Sequence, residues 1–235
     1  MQTENSFRLS TDSVLLSAFA RAERAKSCLD LGSGAGVLCV LLAAKNERLT
    51  LCGVEIQQEY AELSRCNLAE NGMDGRSRII QGDIKDIRQL LPAESFELVV
   101  SNPPYFPQNS GFSAPTAHRA AAREEKLCTL EDICAAAKWS LKWGGCLAMV
   151  HRPERLSEIF CAMTAAGIEP KRLRMVCHGW QKAPSLVLVE GKRGAAAGLI
   201  IEPPLVLTDE NGADSEEIQK IYRRGVYAPR QQERL

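Results

Sequence analysis

A chain of 235 residues, 45% hydrophobic and 25% charged, has the size and composition of one soluble α/β domain, or of a domain with a small appendage. No apolar run reaches the about 18 residues of a membrane-spanning helix, and the polar start MQTENSFRLS does not read as a signal peptide. The 29 Lys and Arg balance the 29 Asp and Glu, so net charge alone points to no nucleic-acid partner.

The nine cysteines include no Cys-x-x-Cys pair and lie scattered through apolar stretches, among them Cys28, Cys39, Cys52, Cys66 and Cys146. That distribution predicts buried free thiols in a reducing cytoplasm rather than disulfides or zinc. His118, His151 and His178 lack metal-ligand spacing, so no metal is expected, and no obligate protein partner is evident.

In chain order, Thr11-Asp12-Ser13 predicts an N-cap for a helix from Val14 to Ala20. Cys28-Leu29-Asp30-Leu31 predicts a short buried strand, and Gly32, Gly34 and Gly36 follow it directly. Glycines there permit positive φ and let a ligand touch the backbone, while the helix beginning near Val37 offers unpaired N–H groups. The dinucleotide fingerprint Gly-x-Gly-x-x-Gly/Ala fails because position 37 is Val. Asp30, at the strand end, would repel a pyrophosphate and favour a cationic ligand. A second strand, Leu49 to Val54, leads to Glu55, placed to take both hydroxyls of a ribose, with Ile56 beside it. This set suits S-adenosylmethionine better than NAD.

The helix from Ile56 to Asn71 closes on Gly72. A third strand at Arg78-Ile79-Ile80 ends in Gln81-Gly82-Asp83-Ile84, where Asp83 can accept from an adenine amine, cap the helix from Ile84 to Leu91, or do both, with Ile84 counted to the same pocket. A fourth strand, Phe96 to Val100, runs into Asn102-Pro103-Pro104-Tyr105, about 70 residues after the glycine loop. Two prolines cannot donate to a ladder, so the chain must turn out of the sheet. The turn presents the Asn102 amide, carbonyls without partner N–H groups, and the Tyr105 ring, which suits a flat substrate with an amino group on its edge.

Phe106 to Cys128 lacks periodicity and is too long for a plain connection, which predicts a mobile substrate loop. In it Phe106 either joins an aromatic wall or anchors the loop. Arg119 and Arg123 either meet phosphate or base or stay in solvent, one of them paired with Glu124. Thr129-Leu130-Glu131-Asp132 predicts a capping box opening a helix that ends at Gly144-Gly145. A fifth strand covers Gly145 to Val150, and Pro153 opens a helix ending at Gly167.

Strands at Arg172–Cys177 and Leu186–Glu190 have only a loop between them and should form an antiparallel hairpin on the sheet edge. From Lys171 to Arg193 there are six Lys or Arg against one acid, so Lys171, Arg172 and Arg174 head a candidate backbone-binding patch whose alternative is a solvated face with counter-charges elsewhere. The tail from Leu199 is less regular, with a turn at Asn211-Gly212 and a short helix capped by Ser215. The expected organisation is a single domain, with residues 1–26 a helical lead-in, 27–190 the core and 191–235 a tail packed on it. The expected fold is α/β and Rossmann-like, a seven-stranded, mostly parallel sheet with a C-terminal antiparallel hairpin. That layout is similar to class I methyltransferases.

Joined, Leu29–Gly36, Glu55, Asp83 and Asn102-Pro103-Pro104-Tyr105 resemble class I methyltransferases that modify amino groups on adenine, guanine or glutamine. Leu9 to Leu16, Thr129–Asp132, Arg152-Pro153-Glu154-Arg155-Leu156, Leu186–Gly191 and Ile218–Tyr222 resemble the bacterial tRNA(Val) adenine N6-methyltransferase family more narrowly. The resemblance covers nearly the whole chain. It implies S-adenosylmethionine as cofactor, tRNA as partner, adenine 37 beside the anticodon as target, and an alternative place for Asp12 bordering the cofactor pocket. Asn102, Pro103 and Tyr105 then orient and stack the base. Release-factor glutamine methyltransferases share the tetrapeptide but carry a helical N-terminal domain, and only about 27 residues precede the first strand here. Ribosomal RNA guanine methyltransferases often duplicate the domain, and this chain has room for one. A cofactor-binding scaffold without turnover is opposed by the intact Asn102 and glycine loop.

Overall fold

A computed structural model describes residues 11–103 and 128–222. One sheet runs through them in the order β3 (Ser77–Gln81), β2 (Thr50–Glu55), β1 (Ser27–Leu31), β4 (Phe96–Ser101), β5 (Leu141–His151), β7 (Pro184–Arg193), β6 (Ile168–Cys177). The pairs from β3 through β5 are parallel, and those of β7 with β5 and β6 are antiparallel. Two additional short strands, β8 (Ile200–Ile201) and β9 (Leu205–Val206), pair in parallel with β6. The expected seven-stranded, mostly parallel sheet with its hairpin is therefore present, but β6 is partly covered by the tail and is not a bare edge.

Alternate strand residues feed two cores, as burial on both faces of parallel strands requires. Cys28, Leu98, Val100, Ala148, Val150 and Leu188 point to one face, where α1 (Thr11–Phe19), α2 (Val37–Lys45), α3 (Gln58–Glu70) and α7 (Glu216–Ile221) pack. Leu29, Val99, Leu147, Met149, Val187 and Val189 point to the other, against α4 (Ile87–Leu90), α5 (Leu130–Ser140) and α6 (Leu156–Ala165). The helices change face between β1 and β4, which lie side by side. Ligands in open α/β sheets bind in the crevice at the carboxyl ends of such a pair.

Several boundaries differ from the sequence expectation. Helix α1 already includes Thr11-Asp12-Ser13, so these residues form its first turn rather than its cap. The capping box of Thr129 and Asp132 is present, with bonds of 3.2 and 3.0 Å, but α5 ends at Ser140. The Gly144-Gly145 pair lies inside β5, where Phe96 opposes Leu141 and Leu98 already opposes Cys146; Gly144, at φ 77°, makes a bulge rather than a helix end. The segment after Pro153 begins as a 3-10 turn, Pro153–Arg155, before α6, and a 3-10 turn, Ile84–Asp86, likewise precedes α4. Cys66 is exposed and Cys146 half-buried, against the expected burial, because α3 turns Cys66 away from the sheet; Cys28, Cys39 and Cys52 are buried, and every described cysteine is free.

Candidate active site

The glycine loop leaves β1 at the switch point. Gly32 and Ser33 donate their N–H groups to the Val54 carbonyl, at 2.9 and 3.1 Å, which folds the loop back over β2. Gly32, Gly34 and Gly36 have φ of 76°, 51° and 79°, a region that costs side-chain-bearing residues about 1–2 kcal/mol each. A Cβ built on Gly32 or Gly34 meets nothing within 4 Å, so both face open space from which a ligand can reach the backbone. Gly36 is needed for packing: a Cβ there would lie 2.3 Å from Ser64 Oγ on α3.

Glu55 closes β2 and is buried, yet among the described residues it meets no cation. Its Oε2 accepts from Gly34 N at 2.8 Å and its Oε1 from Gln57 N at 2.9 Å. The two amides fix the carboxylate plane and leave each oxygen a further lone pair. Ile56, next in the chain, is exposed, an apolar surface beside that acid. Asp83 Oδ1 caps the following turn by accepting from Lys85 N at 2.9 Å, and Ile84 behind it is buried in the second core. The capping alternative for Asp83 is thus realised, and its other oxygen stays 3.6 Å from Lys85 Nζ.

Asp30 is 1% exposed, with the Cys39 thiol donating to Oδ2 at 3.5 Å. Burial pushes its carboxyl up to about 7; the Cys39 bond opposes this and the Glu55 charge adds to it. A cation bound at this end of the sheet would draw Asp30 to its ionised form.

On the other side of the switch point, Ser101 Oγ donates to the Leu31 carbonyl at 2.9 Å, joining the ends of β4 and β1. Half-buried Asn102 follows, its Nδ2 donating to Ser13 Oγ on α1 at 3.0 Å. With Nδ2 engaged, the amide presents Oδ1, an acceptor, on its opposite edge. Pro103 is buried and has no N–H. Tyr105, Phe106, Arg119 and Arg123 lie outside the described residues. The structure brings Asp30, the three glycines, Glu55, Asp83 and Asn102 to the carboxyl ends of four adjacent parallel strands.

The hairpin patch departs from expectation. Arg172 is buried, donates to Glu190 and Glu202 at 2.8 Å each, and lies over the Phe19 ring, so it has no charge to offer a phosphate. Arg174 forms a two-pronged pair with Glu217 and also donates to the Pro203 carbonyl. Lys171 donates to the Ala196 carbonyl at 3.1 Å but keeps its charge at the surface. The sequence run held only Glu190 among these partners; Ala196, Glu202, Pro203 and Glu217 lie in the tail.

Two residues escaped the sequence reading. Ser13 looked like part of a cap. Trp180, 71% exposed, sits between Cys177 and Pro184, a turn that strand direction places at the end where β5 finishes, the same end as Asn102. An aromatic inside the polar stretch 178–183 was the available signal. Among the described residues no group of His, Cys, Asp or Glu can hold a metal ion, and no helix is long and apolar enough to cross a membrane.

Comparison with known proteins bears on this geometry. The profile of the methyltransferase small domain family matches residues 10–163. A tRNA1(Val) (adenine(37)-N6)-methyltransferase of Porphyromonas gingivalis is 34% identical over 195 residues, 80% of this chain and 76% of that protein. One of the same description from Shewanella sp. (strain MR-7) is 32% identical over 223 residues, 91% and 89% of the two chains. Among solved structures, an Agrobacterium tumefaciens protein described as a predicted O-methyltransferase superposes with a TM-score of 0.75 at 24% identity, covering 91% of this chain and 96% of the other. At that identity the likeness speaks for the fold.

Proposed function

The chain belongs to the methyltransferase small domain family, and from that premise we propose that it methylates the exocyclic N6 amine of adenine 37 in tRNA1(Val). The observation that carries the reading is the meeting of the open glycine loop and Asn102 across the β1–β4 crevice, with the Asn102 amide turned to offer Oδ1. The curated relatives' substrate supplies the particular tRNA.

The residues present fit S-adenosylmethionine. Gly32 and Gly34 leave the backbone accessible, Glu55 offers a clamped carboxylate for ribose hydroxyls, Ile56 an apolar surface, Asp83 an acceptor for an adenine amine and Asp30 an acid for a cation. When bound, this cofactor supplies an electrophilic methyl group.

An adenine amine is a poor nucleophile because its lone pair is delocalised into the ring. Asn102 Oδ1 and the Pro103 carbonyl can each accept one of its N–H bonds, which favours tetrahedral nitrogen and a localised lone pair. The remaining task is alignment, the main lever of an in-line displacement. No strong general base is required, since the nitrogen becomes acidic only as the new bond forms. Tyr105 is assigned to stacking on the base and Phe106, Arg119 and Arg123 to the substrate side. Trp180 and Lys182 add a ring and a cation at the same end of the sheet, and Lys171 a further surface cation. A base in an anticodon loop is already partly exposed, so extruding it costs little. A tRNA substrate also puts the protein's work in the cytoplasm.

The test is incubation with labelled cofactor and either undermodified bulk tRNA or a release factor, followed by nucleoside and peptide mass spectrometry. Label in N6-methyladenosine at position 37 of tRNA1(Val) is expected. Label on glutamine with none on adenosine overturns the reading.

A further inference from the structure

The Asn102 amide is held by a residue 89 positions earlier in the chain, Ser13 on α1, through the 3.0 Å bond from Nδ2 to Oγ. We propose that Ser13 is a positioning residue for methyl transfer, holding the Asn102 side chain with its acceptor edge free for the substrate amine. The assignment rests on the proposed function.

The terminal torsion of asparagine is broad and roughly two-fold, so an unrestrained amide samples both faces and also exchanges oxygen for nitrogen. In the exchanged orientation an NH2 group would confront the substrate's own NH2, donor against donor. The bond to Ser13 fixes the amide plane and its sense, with Nδ2 toward α1 and Oδ1 opposite. Among the described residues Asn102 engages only its Nδ2, leaving Oδ1 as the acceptor edge toward the crevice.

For Ser13 to act this way its helix must be rigidly placed. Leu15 and Leu16, one turn along, are fully buried in the first core, and Ser13 itself is 8% exposed. The neighbouring Asp12 carboxyl is raised by burial, an effect opposed by the charge of Arg152 just past β5, so α1 also faces the carboxyl end of β5. A buried serine inside a helix is a poorer helix former than alanine. The Asn102 bond gives this buried hydroxyl a role toward the site.

The test uses the full chain. Ser13→Ala should lower kcat on tRNA about tenfold, the effect of one net hydrogen bond at its strong end, while KM for tRNA and Kd for the cofactor stay within about twofold. Its thermal midpoint should fall by only a few degrees, because alanine's better helix propensity offsets part of the lost bond. Ser13→Thr, which keeps the hydroxyl, should recover most of the lost kcat. In 15N-labelled protein without substrate, the Asn102 side-chain NH2 signals, assigned by their loss in Asn102→Ala, should shift in Ser13→Ala and return toward their original position in Ser13→Thr. Wild-type kcat in Ser13→Ala overturns the proposal, and so do NH2 signals that do not move. If the wild-type protein methylates no tRNA adenosine, the functional reading fails instead, and the NH2 signals still decide whether Ser13 holds Asn102.

Discussion

The two flanks of the sheet use charged side chains in opposite ways. On the parallel flank Asp30 and Glu55 lie buried and, among the described residues, meet a thiol and two backbone amides but no cation. On the antiparallel flank Arg172, Arg174 and Arg193 each meet a glutamate: Glu190 and Glu202, Glu217, and Glu94. Charge left uncompensated inside a fold is costly and marks places where a ligand completes the neutralisation. Charge already matched is structure. A basic run in the sequence and a pair of isolated acids therefore mean the reverse of what their prominence suggests.

The contrast can be broken at its strongest point. Arg172→Ala leaves Glu190 buried without its cation and should destabilise the fold by about 3–5 kcal/mol, read as a lower urea midpoint, with the salt dependence of tRNA binding unchanged. A reduced salt slope in a folded variant would restore Arg172 to the RNA surface.

Next in size, Asn102→Ala should lower kcat by about 10²–10³-fold, the usual loss when one oriented polar group is removed from a reacting centre. Cofactor affinity by calorimetry should barely change; a large loss would move Asn102 from the substrate to the cofactor side.

Stacking on Trp180 gives an intermediate effect. Trp180→Ala should weaken tRNA binding by about 1–3 kcal/mol, seen in KM with kcat preserved, and an unchanged KM would leave that ring a bystander.

A last measurement sharpens the acidic flank. Asp30 has a folded value near 7 against an unfolded value near 3.8, so the folded protein binds more protons between them. Stability from this group is full below about 4, falls as pH rises toward 7 and is level above. A cationic ligand favours the ionised form, so cofactor affinity should rise with pH by up to about tenfold per unit below 7 and then flatten. Calorimetry in buffers of different ionisation enthalpy should show proton release at pH 6.5, absent in Asp30→Asn.

How much of this was legible in the sequence follows from where each constraint acts. The glycine loop, the acid ending β2 and the Asn-Pro-Pro turn are local: each motif fixes its own backbone, and strand order brings them together. The capping box of Thr129 is local for the same reason. Gly144-Gly145 was misread because a glycine pair signals a stop equally well in a helix or a bulge, and only pairing with β4 decides. Arg172 was misread because its partners come from the opposite strand and the tail. Ser13 was invisible as a positioning group because the amide it holds lies 89 positions away in the chain.

Strands β8 and β9 carry a last consequence. Each is two residues long, yet they pair β6 at Arg172–Leu173 and at Val176–Cys177, with Glu202 N and Leu207 N adding bonds to the Leu173 and Cys177 carbonyls at 2.8 Å each. Without them β6 would present ten residues of open ladder, a template for pairing with another chain. The tail thus covers part of that edge. A chain cut before Leu199 would bare that edge and at the same time lose Leu205 and Ile218 from the core and Glu202 from Arg172. The tail closes the edge of the sheet through backbone pairing rather than through surface charge.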